Sequence, residues 1–214
     1  MISFIGGTGP EGKGLALRFA LAGEPVVIGS RDLGRATDAA LEVQRLAPKA
    51  SVEGSLNPEA AERGDLVFIT VPFSGHRDTL EGLREQLRGK IVVDTVVPIA
   101  FEERRFRALV VEEGSVAEQA QLVLPESRVV GAFHNVSAAE LLHPERRIES
   151  DVVVCADDRD AKASVMALAE RIQGVRAIDG TGLDCSRYVE NVTALLLNLN
   201  RVYKGRSTIK FLGI

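Results

Sequence analysis

Three observations predict an α/β chain built on a doubly wound, mainly parallel sheet with a small C-terminal helical element. Short apolar runs alternate with helix-patterned stretches along most of the 214 residues. The chain opens on an apolar run that ends in glycines and leads through a helix pattern into a second apolar run. It closes on a broad apolar stripe at helical spacing.

The opening stretch carries the strongest signal. Ile2, Phe4 and Ile5 belong to a run too short for a helix, which predicts a buried parallel strand. Gly7, Gly9 and Gly12 then make G-x-G-x-x-G. The first glycine permits a tight turn, the second lets a pyrophosphate approach the backbone, and the third lets helix and strand pack closely. A helix from Pro10 to Ala22 and a strand from Pro25 to Gly29 supply the βαβ context that separates a dinucleotide site from an ordinary glycine-rich turn. The phosphates are expected at the helix N-terminus, where free N–H groups and the helix dipole favour an anion. This is a Rossmann-type unit.

The tip of the second strand discriminates between nicotinamide cofactors. An NAD site places a carboxylate there for the ribose hydroxyls. This chain has Gly29-Ser30-Arg31, with Arg35 one helical turn on. A hydroxyl and guanidinium groups suit a 2′-phosphate, which predicts NADP(H). Asp32 lies near the position of an NAD carboxylate but fits a cap on the next helix, predicted as far as Leu46.

Composition bounds the remainder. A net charge of −4 leaves no overall basic footprint for nucleic acid. No apolar run reaches the about eighteen residues of a membrane helix, and the N-terminus is already a strand without a basic lead-in, so a soluble, cytoplasmic protein is expected. Cys155 and Cys185 form no C-x-x-C pair and read as incidental thiols. The length suits one large domain, residues 1–180, with residues 181–214 as a helical appendage contributing a substrate pocket and a dimer contact.

Further strands are predicted at 51–54, 65–70, 90–95, 128–133, 151–155 and 175–178. The tips Val71-Pro72 and Val97-Pro98 either line the nicotinamide end of the groove or merely punctuate strand ends. Ser74 or Asp78 is expected to cap a helix carrying Leu80, Leu83 and Leu87 on one face. The mixed-charge run Phe101 to Arg107 reads as a solvated loop or partner surface. His134, beyond the 128–133 strand, either contacts a ring or caps the helix that begins near Ser137. His76 is a candidate for the border of the site and His143 for a surface loop. Acidic residues 157, 158 and 160 read as a helix start. The linker 181–187 is expected to bring Arg187 back toward the site. Val189, Val192, Leu196, Leu199 and Tyr203 recur at three- and four-residue steps, widened by Leu195 and Leu197, which predicts a terminal helix buried partly against a second copy of the chain.

The runs from Gly6 to Arg18 (GGTGPEGKGLALR), Gly29-Ser30-Arg31, Val71-Pro72, Val97-Pro98, Phe133-His134, and Arg187 with Glu190 resemble the NADPH-dependent F420 reductases along almost the whole chain. That resemblance implies an eight-stranded sheet, NADP(H) and coenzyme F420 as the two substrates, and direct hydride transfer between deazaflavin and nicotinamide. It also implies that Thr8, Ser30, Arg31 and Arg35 hold the 2′-phosphate and that His134, Val136 and Ala138 flank the stacked rings. Phe73-Ser74-Gly75 and Asn135-Val136-Ser137 depart from the family pattern, and both changes touch the pocket for the second ring.

Such chemistry asks the protein mainly for orientation and exclusion of water, which suits a chain without a Ser-His-Asp arrangement or a motif-borne general acid. Two other classes stay open from sequence. One is an NADPH-dependent reductase of a small imine or carbonyl compound, which needs a proton donor such as His134 or a water it orients. The other is a non-catalytic NADP-binding redox sensor.

Overall fold

The computed structural model describes residues 1–214. It begins with β1 (Ile2–Ile5), α1 (Pro10–Leu21), β2 (Val26–Ser30), α2 (Leu33–Leu46), β3 (Val52–Leu56) and α3 (Asn57–Arg63). Next come β4 (Leu66–Ile69), α4 (His76–Gly82), α5 (Arg84–Leu87) and β5 (Ile91–Asp94). A hairpin of β6 (Ile99–Glu102) and β7 (Arg105–Ala108) precedes α6 (Val116–Val123), β8 (Arg128–Gly131) and α7 (Ala138–Leu141). The chain ends with β9 (Ser150–Val154), α8 (Arg159–Ala169), β10 (Val175–Asp179) and α9 (Ser186–Tyr203).

Six strands form one parallel sheet in the order β3-β2-β1-β4-β5-β8. The winding direction reverses between β1 and β4, and the crevice beyond the carboxyl ends of those strands is where an open α/β sheet takes its ligand. β9 and β10 pair in parallel with each other and meet β8 only through one antiparallel bridge, Gly131 to Cys155. The eight strands implied by the resemblance are thus six plus two, with the last pair reversed.

Helices cover both faces of the sheet. This explains why β1 and β2 are buried at every position and show no polar alternation. On one face Phe4, Phe19, Phe68 and Phe133 interlock, with Phe4 and Phe68 stacked at 4.9 Å and Phe133 edge-on to Phe19 at 6.0 Å. Each such ring contributes about 1.5–3 kcal/mol by burial. Arg18 at the far end of α1 is buried yet satisfied. Its guanidinium donates to the carbonyls of Leu141, Arg146, Glu140 and His143 at 2.6–2.8 Å and clamps the segment after α7 onto α1.

The helix starts predicted at Asp32 and in the acidic cluster 157–160 are present as side-chain caps, and Ser115 caps α6 in the same way. Asp32 accepts from the Arg35 N–H at 2.8 Å, Ser115 from Glu118 at 3.0 Å, and Asp158 from Ala161 at 2.7 Å. The helix expected after Val71-Pro72 differs. A 3-10 turn over Phe73–Gly75 comes first, Gly75 takes the cap position, and neither Ser74 nor Asp78 caps α4. Gly82, a poor helix former, ends α4, although Leu80, Leu83 and Leu87 are all buried as expected.

The mixed-charge run is not a loop. Residues Ile99–Glu102 and Arg105–Ala108 pair antiparallel with Phe101 opposite Phe106, and the two-residue turn puts Glu103 and Arg104 at φ 47° and 63°. Such turns usually carry Asn or Gly, so this hairpin has no turn signature in its sequence. What holds it is α9. The Asn198 amide donates to the Phe106 carbonyl and accepts from its N–H, and Arg201 sits 4.7 Å over the Phe101 ring.

Beyond α9 the chain returns to the reversed strands. The Phe211 N–H and the Arg176 guanidinium both donate to Asp151, holding that carboxyl below its ordinary range. Cys155 is buried, and burial pushes its thiol up to about 11. No helix is long and apolar enough to cross a membrane.

Candidate active site

The loop between β1 and α1 is drawn tight by two backbone contacts. Gly7 N–H donates to the Gly29 carbonyl at 3.0 Å, and Gly6 N–H, at φ 71°, donates to the Asn57 side-chain oxygen at 3.1 Å. Asn57, at the start of α3, leaves its own helix without a side-chain cap and braces the loop instead. At Gly12 a Cβ would lie 2.5 Å from the Gly7 Cα and 2.8 Å from its carbonyl oxygen, so only glycine allows the loop to close. Around Gly9 the space is open, with nothing within 4 Å of where a Cβ would stand. A closed loop with one bare approach and free N–H groups at the start of α1 can receive a pyrophosphate.

Two cavities flank this loop along the carboxyl edge of the sheet. The smaller, about 500 Å³, is lined by Ser30, Arg31, Asn57, Pro58 and Thr79. Ser30 Oγ accepts the Asp32 N–H at 3.2 Å and keeps its own hydrogen for a ligand. The Asp32 carboxylate is engaged by its cap contact, and Arg31 is exposed. Arg35 stands on the exposed first turn of α2 and, like Thr8 and the three motif glycines, lines neither cavity.

The larger cavity, about 760 Å³, is walled by Val71, Pro72, Val97, His134, Val136 and Ala138. All six were candidates from the sequence. Thr70 and Thr95 hold the two strand tips in step, Thr70 Oγ1 donating to the Ile5 carbonyl at 3.0 Å and Thr95 Oγ1 to the Ile69 carbonyl at 2.9 Å. The far wall comes from Thr193, Leu196, Leu197 and Asn200 of α9, with Ile99 and Leu109 from the hairpin region.

His134 reaches this cavity through a backbone outlier. Phe133 has φ 67°, uncommon for a bulky residue, and this keeps its ring in the phenylalanine cluster while turning the next residue toward the cleft. Thr193 Oγ1 donates to the His134 carbonyl at 2.8 Å and fixes the turn. Both ring nitrogens of His134 are buried without a protein partner, so it is not the cap of α7. Burial lowers its pKa to about 4 against the opposing pull of Asp94, which leaves a neutral imidazole able to donate once and accept once.

Two further polar atoms of this cavity's lining are buried without partners, Asn135 Oδ1 and Glu11 Oε1. Glu11 lies on the first turn of α1, and burial raises its carboxyl to about 8. Buried polar atoms are normally satisfied. Their gathering around one apolar cavity fits a flat heterocycle with polar edges. Sequence reading passed over Glu11, because an acid in the first turn of a helix is ordinary.

His76 is not at the border of the cleft. It is fully buried, with Nε2 2.6 Å from Asp94 Oδ2 and Nδ1 3.1 Å from Gln119 Oε1. Burial pulls its pKa down, and the Asp94 carboxylate, together with Gln119 and Glu190, more than reverses this, so the imidazole is held above its ordinary value. Asp94 Oδ1 in turn accepts the Val96 N–H at 3.0 Å. The pair therefore braces the β5 tip from behind. Arg187 does not come back to the cleft either. It forks onto Glu118 of α6 at 3.0 and 3.1 Å, while Glu190 accepts the N–H groups of Val116 and Ala117. Burial pushes the Glu190 carboxyl up to about 7.

Residues 1–98 match the family model described as NADP oxidoreductase, coenzyme F420-dependent. The F420-dependent NADP reductase of Methanothermobacter thermautotrophicus is 46% identical over 205 residues, covering 93% of this chain and 88% of that protein. The chain belongs to the F420-dependent NADP reductase family. Another member, from Methanocaldococcus jannaschii, is 41% identical over 213 residues and is covered to 95% of its length. A crystal structure provisionally assigned to the same activity, from Arthrobacter sp. FB24, superposes with a TM-score of 0.83 at 25% identity, covering 98% of this chain and 99% of the other. Family membership thus extends over the reversed strands and α9 as well as the glycine loop.

Proposed function

We propose that this chain transfers hydride between NADP(H) and the deazaflavin coenzyme F420. The observation that carries the reading is the pair of cavities along one sheet edge, a small polar one at Ser30 and Arg31 and a larger, mostly apolar one at the tips of β4 and β5. Gly7, Thr8, Gly9 and Gly12 receive the pyrophosphate side, and Ser30, Arg31 and Arg35 the 2′-phosphate. Val71, Pro72, Val97, Val136 and Ala138 pack against the rings, and His134 orients them through its ring nitrogens. Residues 181–214 close the acceptor side of the pocket.

When both molecules are bound, their rings supply the redox chemistry, one giving the hydride and the other taking it. The chain contributes proximity, alignment and a dry wall. Reduction of an imine or carbonyl would also require a proton donor, and His134, its pKa lowered to about 4, is a neutral imidazole at neutral pH and too weak an acid for that role.

The first test is anaerobic mixing of the protein with NADPH and oxidised F420, following loss of the deazaflavin's visible absorbance, with NADH as the paired control. Bleaching by NADPH alone is expected. No bleaching while NADPH still binds would return the search to small-molecule acceptors or a sensing role. For His134→Ala, hydride transfer is expected to slow by roughly ten- to a hundredfold with nearly unchanged NADP(H) affinity, because loosened ring alignment acts on the reacting geometry. Unchanged turnover would remove His134 from the chemistry.

The same reading includes a homodimer through α9. Its outer face exposes Leu195 to 54%, Val202 to 72% and Tyr203 to 77%. Sedimentation at micromolar concentration that finds only monomer would remove it.

A further inference from the structure

We propose that Glu11, acting as a neutral carboxylic acid, is a binding residue for the nicotinamide carboxamide of NADP(H), so that seating of the ring is linked to one bound proton. The inference rests on the NADP(H) reading above and adds to it a residue and a pH dependence.

Glu11 is the second residue after Gly9, where the phosphate loop becomes helix α1. Its side chain lines the larger cavity with Val71, Pro72, His134 and Val136, and it is absent from the cavity of Ser30 and Arg31. The Oε1 atom is closed off from solvent without a hydrogen-bond partner. A protonated carboxyl presents one donor and one acceptor side by side, and a primary carboxamide presents the complementary pair. An ionised carboxyl presents acceptors only and loses half of that match.

No basic side chain is free to pair with Glu11, so only the N-terminal backbone of α1 favours the ionised form. Lys13 on the same helix pairs with Glu42 of α2. Arg206, on the cavity rim, and Arg146 pair with Glu140 of α7. His134, across the cavity, is neutral, and the Asp94 charge beyond it is met by His76. Burial alone raises the Glu11 carboxyl to about 8. The sign follows directly. The form that pairs with the carboxamide predominates below that value, and ring affinity is lost as the pH rises through it.

The experiment compares equilibrium binding of NADPH with that of 2′-phospho-ADP-ribose, which lacks the nicotinamide, to the full chain between about pH 6.5 and about pH 9.5. Taking the ratio of the two affinities cancels effects on the phosphates. For the natural chain the ratio is expected to stay level to about pH 8 and then to fall by up to roughly tenfold by about pH 9.5. In Glu11→Gln, whose amide keeps a donor and an acceptor, the ratio is expected to stay level throughout and within about threefold of the neutral-pH value. In Glu11→Leu it is expected to be level and about tenfold lower. A level ratio in the natural chain, or a fall that persists in Glu11→Gln, overturns the proposal. Failure of NADPH to bind at neutral pH would overturn the NADP(H) reading itself and is recognised separately from the slope.

Discussion

Arg31→Ala is expected to weaken NADP(H) binding by about tenfold to more than a hundredfold while leaving NAD(H) binding nearly unchanged, the loss of one charge-assisted contact worth about 1.5–3 kcal/mol. Arg31 lines the smaller cavity beside Ser30, is exposed, and stands where the strand tip offers no free carboxylate. Asp32 does not compete for it, because that carboxylate caps α2. The two cofactors differ there by the 2′-phosphate alone, so paired titrations with NADPH and NADH isolate the contact. Equal losses for both would sink the assignment of this cavity to the 2′-phosphate.

The second large effect concerns stability. His76→Leu is expected to destabilise the chain by about 3–5 kcal/mol, because it leaves the Asp94 carboxylate buried and uncompensated. Both side chains are fully buried and lie 2.6 Å apart. For a chain of this length the melting temperature should drop by about 6–20 °C. Adding Asp94→Asn removes the stranded charge and keeps an acceptor for the Val96 N–H. The double variant is therefore expected to be more stable than His76→Leu alone. Urea unfolding of the four proteins of the cycle measures this, and a double variant less stable than the single one would contradict the account. The pH dependence has a definite sign. Because the folded chain holds His76 above its ordinary value, the pair's contribution is complete below that ordinary value and is lost as the pH rises through the raised one. That pH-dependent component should vanish in His76→Leu.

How far the fold was legible follows from which forces are local. Five of the six parallel strands announce themselves because each is short, mainly apolar and buried along most of its length, whereas the edge strand β3 carries Glu53, Gly54 and Ser55 and is mostly only half-buried. The caps at Asp32, Ser115 and Asp158 were legible because a cap bonds within its own turn. The hairpin at 99–108 was not, since its non-glycine turn is held by Asn198 and Arg201, about ninety residues away. The cavity walls at Val71, Pro72, Val97, His134, Val136 and Ala138 were legible because strand tips in a doubly wound sheet converge on one edge. Glu11, Asn57 and Thr193 escaped for the opposite reason. Each is an ordinary helix residue locally, and only the approach of another element makes Glu11 an orphan acid, Asn57 a brace for Gly6, and Thr193 a peg under His134. His76 and Arg187 were misplaced for the same reason, their partners Asp94 and Glu118 being fixed by helix packing.

The anchor made by Arg18 has a consequence for how the family can diversify. All four of its acceptors are main-chain carbonyls, so the guanidinium fixes the path of residues 140–146 without reading their side chains. Exposed residues there, such as Glu145, can be exchanged as long as the backbone trace is kept, whereas Leu141 stays buried against Gly14 of α1, and the cavity wall that precedes them stays where α1 puts it. Retuning this scaffold for a different hydride acceptor can therefore proceed by substitution along that wall, with the dinucleotide end and its helix left untouched.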